Sequence, residues 1–159
     1  MRDALLMDLA EIPGIELITT YDPRAKPTLA GIEAVEIQAD QDIWQQWQVC
    51  VAQADAVWLI APETGGILTR LTALVSSCDK VLLGSNPQAV GLASSKTLTA
   101  QQLTQAGSVT IPIYRYEDWR EFQPLSSHGW VAKLDDGAGC EDSAYFQGSA
   151  EMSEWMQTR

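Results

Sequence analysis

The sequence predicts an α/β chain, with a parallel-sheet lobe over residues 1–92 followed by a small α+β lobe over residues 93–159. Three observations predict it. Apolar strand-like runs alternate with helical spacing through the first half, a pattern that means parallel strands joined by crossover helices. After Gly91 the alternation gives way to a capped helix and a hairpin. The composition, 46% hydrophobic and 19% charged over 159 residues, suits one ordinary core or two small lobes and excludes a disordered chain.

The elements follow in order. Asp3 to Ala10 reads as a helix with Leu5, Leu6 and Leu9 on one face, stopped by Pro13-Gly14. Ile15 to Thr20 reads as a strand, Tyr21 to Leu29 as a polar connection and Ala34 to Gln38 as a short strand. Ile43, Trp44, Trp47, Cys50 and Val51 recur at helical spacing, so residues 41–53 form an amphipathic helix whose tryptophans are core. Ala56 to Ala61 is a continuous apolar run, the type buried on both faces. The Pro62-Glu63-Thr64-Gly65-Gly66 turn leads into the clearest helix, marked by Ile67, Leu68, Leu71, Leu74, Val75 and Cys78. Val81-Leu82-Leu83 is the next buried strand, closed by Gly84-Ser85-Asn86-Pro87. In parallel sheets ligands bind beyond the carboxyl ends of the strands, where both of these loops sit.

In the second lobe Ser94 or Ser95 caps a helix running to about Ala106, with Gly107 as its stop. Thr110 to Tyr114 reads as an edge strand because Pro112 interrupts it. Tyr116 to His128 reads as a polar loop. Trp130 to Leu134 and Ser143 to Gln147 make a hairpin, and Ala150 to Gln157 is a last helix with Met152, Trp155 and Met156 on its apolar face.

Charge and composition exclude several functions. The formal net charge is −11 and no Lys/Arg cluster exists, so a nucleic-acid partner is not expected. No apolar run approaches the ~18 residues of a membrane span, and no signal-peptide pattern opens the chain. Three cysteines, Cys50, Cys78 and Cys140, form no CxxC pair and are expected to be reduced and mostly buried. The single His128 excludes a histidine metal cluster. The chain is expected to be soluble and cytoplasmic.

The richest segment is Trp130-Val131-Ala132-Lys133-Leu134-Asp135-Asp136-Gly137-Ala138-Gly139-Cys140-Glu141. An apolar strand with one inward lysine, Lys133, runs into a loop of small residues; a lysine on a strand face usually sits at an edge and points to water, but beside such a loop a functional role is favoured. Backbone N–H groups can approach an anion closely where no branched Cβ intervenes, and a nearby lysine adds a point charge for phosphate. The competing reading is a plain hairpin turn, since Asp136-Gly137 is a turn signal by itself. Lys96, opening the helix after Ser94-Ser95, is either a solvated lysine or a second phosphate contact at a positive helix end. Glu63, in the Glu63-Thr64-Gly65-Gly66 turn, either holds a substrate amine or favours the helix start. Glu141 and Asp142 are adjacent on a strand and point to opposite faces, so they are not expected to bind metal together.

In this order these pieces resemble the ATP-grasp ligase superfamily. The alternating first half is similar to the Rossmann-like pre-ATP-grasp lobe, and residues 93–159 are similar to the first part of an ATP-grasp domain. Ser95-Lys96 with Leu103 and Ala106-Gly107 looks like the helix that starts that core. Within the superfamily, Ile60-Ala61-Pro62-Glu63-Thr64-Gly65-Gly66 and Asp136-Gly137-Ala138-Gly139-Cys140-Glu141 most resemble the tyramine–glutamate ligase branch, which serves cofactor synthesis. The resemblance implies an ATP-dependent carboxylate–amine ligase acting through an acylphosphate. It implies ATP contacts from Lys96, Lys133, Gly137, Ala138, Gly139 and Cys140, and substrate contacts from Glu63 and Thr64. It also implies Mg²⁺, with ligands expected in a C-terminal part beyond Arg159.

Two departures matter. Members of the family open with a strand before their first helix, and they continue well past the glycine loop. The chain is therefore expected to be truncated at both ends, to bind ATP weakly and to catalyse nothing alone. Its expected partners are ATP, a small carboxylate or amine, and a second copy or a complementary chain. The alternatives are a non-catalytic ATP-grasp-like scaffold that needs a partner chain, and a flavodoxin-like ligand domain with an incidental glycine hairpin.

Overall fold

The computed structural model describes residues 2–122, 126–137 and 139–158. It is a mixed α/β structure with two compact units, Met1–Ile60 with Leu71–Ser85, and Ala61–Arg70 with Asn86–Arg159.

In the first unit, α1 (Arg2–Ala10) buries Leu6. Strands β1 (Ile18–Tyr21) and β2 (Glu33–Glu36) pair in parallel, with Ile18 opposite Glu33 and Tyr21 opposite Glu36. The Tyr21 hydroxyl donates to the Glu36 carboxylate at 2.8 Å and ties off that end of the ladder. The polar connection between them holds only a 3-10 turn, Pro23–Ala25, capped by Asp22. Helix α2 (Ile43–Gln53) starts where the Asp42 carboxylate accepts the Trp44 N–H at 2.9 Å. It buries Val51 and packs on β1, while the Trp44 and Trp47 rings meet edge to face at 5.0 Å. Burial pushes the Cys50 thiol up, away from the reactive thiolate.

The next parallel pair is β3 (Ala56–Val57) with β4 (Val81–Leu82), joined through α3 (Ile67–Ser77). This is the strand–helix–strand unit that the alternation predicts. Helix α3 buries Leu71, Thr72 and Val75. The expected burial of both strands on both faces is not found: Trp58 is 54% exposed and Val81 60% exposed, with Ile60 and Leu83 also at the surface. Such a run is covered when helices lie on both faces of its sheet. Among the described residues β3 and β4 make a two-stranded sheet, separate from β1–β2, and so narrow a sheet gives little face for helices to cover.

Beyond its Ala61–Arg70 stretch, the second unit continues with α4 (Pro87–Ser94), a helix the sequence reading missed. Asn86 caps it by accepting the Ala89 N–H at 2.8 Å, and Pro87 fits the first helical position. Helix α5 (Lys96–Gln105) follows, with Ser95 accepting the Leu98 N–H at 3.0 Å and Gly107 at φ 78° beyond its end. Thr110 to Tyr114 is not a strand. Pro112 has no N–H to give a ladder, and Val109 and Ile111 lie exposed. The polar stretch expected to be a loop holds α6 (Tyr116–Phe122) instead. Strands β5 (Trp130–Ala132) and β6 (Ala144–Phe146) pair antiparallel as expected, with Val131 opposite Tyr145, and α7 (Ser149–Gln157) packs on them.

The core of this unit is Trp119, Phe146 and Met152, surrounded by Tyr116, Trp130, Ala132, Ala144, Trp155 and Met156. Strand alternation explains its membership: Trp130 and Ala132 face in, so Val131 and Lys133 face out. Lys133 is exposed, which corrects the expectation of an inward lysine. Cys140 is likewise exposed, not buried, and all three thiols are free. Among the described residues no helix is long and apolar enough to cross a membrane.

Candidate functional site

The second unit gathers three separate pieces of sequence: the Thr64–Gly66 turn, the start of α5 and the Leu134–Gly137 segment after β5. Two aspartates do the joining. The Asp135 carboxylate accepts from Ser95 Oγ at 2.6 Å, from Thr97 N–H at 2.8 Å and from Thr97 Oγ1 at 2.7 Å. Its own carbonyl accepts the Lys96 N–H at 3.1 Å. The Asp136 carboxylate accepts the Gly65 N–H at 2.9 Å. Gly65, at φ 66°, turns its N–H toward that partner in a conformation that favours glycine.

Helix α5 shows why this matters. It buries no residue and carries no strong apolar face, so packing does little to hold it. Its first turn has orphan N–H groups, and a carboxylate there both accepts them and meets the positive end of the helix dipole. Partial burial pushes Asp135 up, but the hydrogen bonds from Ser95 and Thr97 and the Lys96 charge outweigh it and hold the carboxyl below the usual range. The sign follows. The folded value lies below the unfolded one, so Asp135 favours the fold fully above an ordinary carboxylate pKa of ~3.9 and loses that contribution as pH falls through its own lower value. Asp135→Ala is expected to destabilise the start of α5 by ~1 kcal/mol, as loss of a helix cap does. The check is amide exchange across α5 at neutral pH, where unchanged protection would contradict it.

Lys96 is the first residue of α5, and its ammonium bends back over the loop. Nζ donates to the carbonyl oxygens of Leu134 at 2.8 Å, Asp135 at 3.1 Å and Gly137 at 2.7 Å. Gly137 makes that convergence possible. A Cβ there would stand 2.8 Å from Leu134 Cβ, so the segment can fold this tightly only around glycine.

The structure thus brings Lys96 and Gly137 together and draws in the turn that carries Glu63 and Thr64. Lys133 stands exposed on the outward face after β5. Gly139 at φ 66° and Cys140 at φ 63° form an exposed turn beyond the bonded segment. Ala138 lies outside the described residues. Asp135 and Asp136 are the residues that sequence reasoning missed. Their signal was Asp-Asp before a glycine, which read as turn chemistry only. Among the described residues no group of three or more His, Cys, Asp or Glu side chains is placed to hold a metal ion. A groove of about 380 Å³ runs between α5 and the extended segment, lined by Thr97, Gln101, Thr104, Ile111, Ile113 and Tyr114, and contains none of the residues named for nucleotide or substrate.

Residues 15–90 match the pre ATP-grasp 3 domain. The matched span includes Glu63 and Thr64 and ends before Lys96 and the glycine loop. No curated protein matches the chain.

Proposed function

We propose that this chain, which carries a pre-ATP-grasp domain and on that ground sits with the ATP-grasp superfamily, supplies the lysine and glycine-loop part of an ATP-dependent carboxylate–amine ligase. The observation that carries the reading is an order. A pre-ATP-grasp match is followed by a helix-start lysine bonded to the segment opening a glycine loop. We assign residues 1–92 to the pre-ATP-grasp lobe and 93–159 to the ATP-grasp part.

In this reading a substrate carboxylate oxygen attacks the terminal phosphorus of ATP and ADP leaves. An amine then attacks the acyl carbon of the acylphosphate, phosphate leaves and the nitrogen gives up a proton. Catalysis of such transfers is positioning and charge neutralisation. The exposed Lys133 ammonium suits the phosphates directly, Lys96 suits them once it gives up its loop carbonyls, and the glycines admit close backbone approach. For Mg²⁺ the described residues bring no three His, Cys, Asp or Glu side chains together. Glu63 is assigned to a substrate amine, and the tyramine–glutamate branch makes a glutamate-like acid with a small amine the substrate class. The setting is the cytoplasm.

The test is calorimetric titration of the full chain with MgATP. Lys133 is exposed, so its replacement leaves packing untouched. Lys133→Ala is expected to weaken binding about tenfold, ~1.4 kcal/mol. Equal affinity in parent and variant would overturn the phosphate role. A second reading, a non-catalytic scaffold that needs a partner chain, is supported by the exposed apolar residues Trp58, Ile60, Val81 and Leu83. It expects no nucleotide binding by the chain alone.

A further inference from the structure

The Lys96 ammonium has three donors, and the structure gives each of them a loop carbonyl, those of Leu134, Asp135 and Gly137. A lysine poised for phosphate needs donors to spare, and this one has none. We propose that Lys96 is a latch: without nucleotide it holds the Leu134–Gly137 segment closed on the start of α5, and a polyphosphate that claims the ammonium releases that segment. The inference deepens the ATP-grasp reading and rests on it for the identity of the anion.

The chemistry favours such an exchange. Peptide carbonyls are neutral dipoles, whereas a phosphate oxygen carries net charge and makes the stronger bond to an ammonium. The ammonium is a compact point charge on a flexible stem, able to swing from one partner to the other. Meanwhile Asp135 stays pinned by Ser95 and Thr97 through contacts that do not involve Nζ. The segment therefore keeps two anchors that do not involve the ammonium, Asp135 on the start of α5 and the Asp136 carboxylate on the Gly65 N–H, and has a removable tie at Gly137. Gly137 suits the moving end, because it approaches Leu134 so closely that only glycine can take up the closed form.

Nitrogen-15 relaxation order parameters of the full chain test both halves, read at residues 134–137 because the tie runs through their carbonyls, with amide protection in β5 and β6 as an internal measure of folding. In the absence of any nucleotide, Lys96→Met is expected to lower the order parameters of the segment from the rigid range of ~0.85 to below ~0.6 while β5 and β6 keep their protection. Unchanged order parameters in that variant would overturn the latch, and this arm does not depend on ATP binding. Sodium tripolyphosphate added to the parent is expected to lower the order parameters of the same segment and to have no further effect in Lys96→Met. Raised or unchanged order parameters in the parent on adding tripolyphosphate would overturn release by the anion. Loss of protection in β5 and β6 as well would overturn the latch as a local device and make Lys96 a support of the whole unit. Failure of the ligase reading would show instead in the MgATP titration, with the nucleotide-free arm left standing.

Discussion

Trp119→Ala is expected to destabilise the second unit by about 3–5 kcal/mol, the range for truncating a large buried aromatic. Trp119 is 4% exposed and stands at the centre of the cluster with Phe146 and Met152. Its ring stacks on Tyr116 at 6.1 Å and meets the edge of Trp130 at 5.8 Å. It also holds α6 in place: Tyr116–Phe122 is far too short to persist by backbone hydrogen bonding alone. One feature of the site works against the indole. Its Nε1–H is buried with no hydrogen-bond partner among the described residues, and such an orphan costs about 1–3 kcal/mol. Trp119→Phe removes that donor together with some apolar area, so the two changes offset, and a net loss below ~1.5 kcal/mol is expected for an aromatic swap of this kind. Urea unfolding of parent and both variants measures the contrast. A loss below ~1 kcal/mol in the alanine variant would show that the cluster is not what organises this unit.

The same helix marks where sequence reading stops. Residues 116–122 are polar except for a few aromatics, and their helical state depends on Trp119 finding Trp130 and Phe146, which are distant in sequence. Elements that carry their own signal were legible: α2 and α3 through apolar spacing, α5 through Ser95 and Gly107, and the β5–β6 hairpin through its glycine loop. Signals with two meanings were read one way only. Asn86-Pro87 marks a turn, and it is equally an N-cap followed by a first-position proline, which is what α4 makes of it. Apolar runs such as Ala56–Ala61 report a preference for burial without reporting whether other elements exist to cover both faces.

The candidate site divides in the same way. Lys96, Gly137 and the Thr64–Gly66 turn were legible because residue type and local pattern single them out. Asp135 and Asp136 were not, since each works through a partner far along the chain: Asp135 through Ser95 and Thr97, and Asp136 through Gly65. Acids beside a glycine loop look like turn residues or metal ligands until the fold supplies the N–H groups they face. The outward direction of Lys133 was implicit in strand alternation but needed Trp130 to be recognised as core. The pre-ATP-grasp match covers residues 15–90 and so supports the first half of the resemblance, while the lysine-loop assembly rests on geometry.

Gly129→Ala is expected to disrupt the hairpin that carries the glycine loop, by at least ~2 kcal/mol, because strain and overlap act together. Gly129 lies at φ 80°, where a side chain is disfavoured whatever the space around it. The space is also absent. A Cβ there would fall 2.5 Å from the Phe146 carbonyl oxygen and 2.7 Å from the Tyr145 hydroxyl. The tyrosine ring can swing aside, although its hydroxyl donates to the His128 carbonyl at 3.1 Å and that bond would be lost. The Phe146 carbonyl belongs to β6 and cannot move without breaking register, because Trp130 pairs with Phe146 at the same end of the ladder. The damage is therefore expected to spread along β5 toward Lys133 and Asp135. Two readouts separate it from a local turn defect. Amide protection in β5 and β6 should fall in the variant, and MgATP affinity should fall with it although residue 129 touches neither lysine. Gly107→Ala serves as the comparison: φ is 78° there as well, but nothing lies within 4 Å of the added Cβ. That variant is expected to lose only ~1 kcal/mol from the helix end and to leave the hairpin intact. Equal effects from the two substitutions would mean that backbone strain alone governs both positions and that the contact with Phe146 is not what fixes the strand that presents the loop.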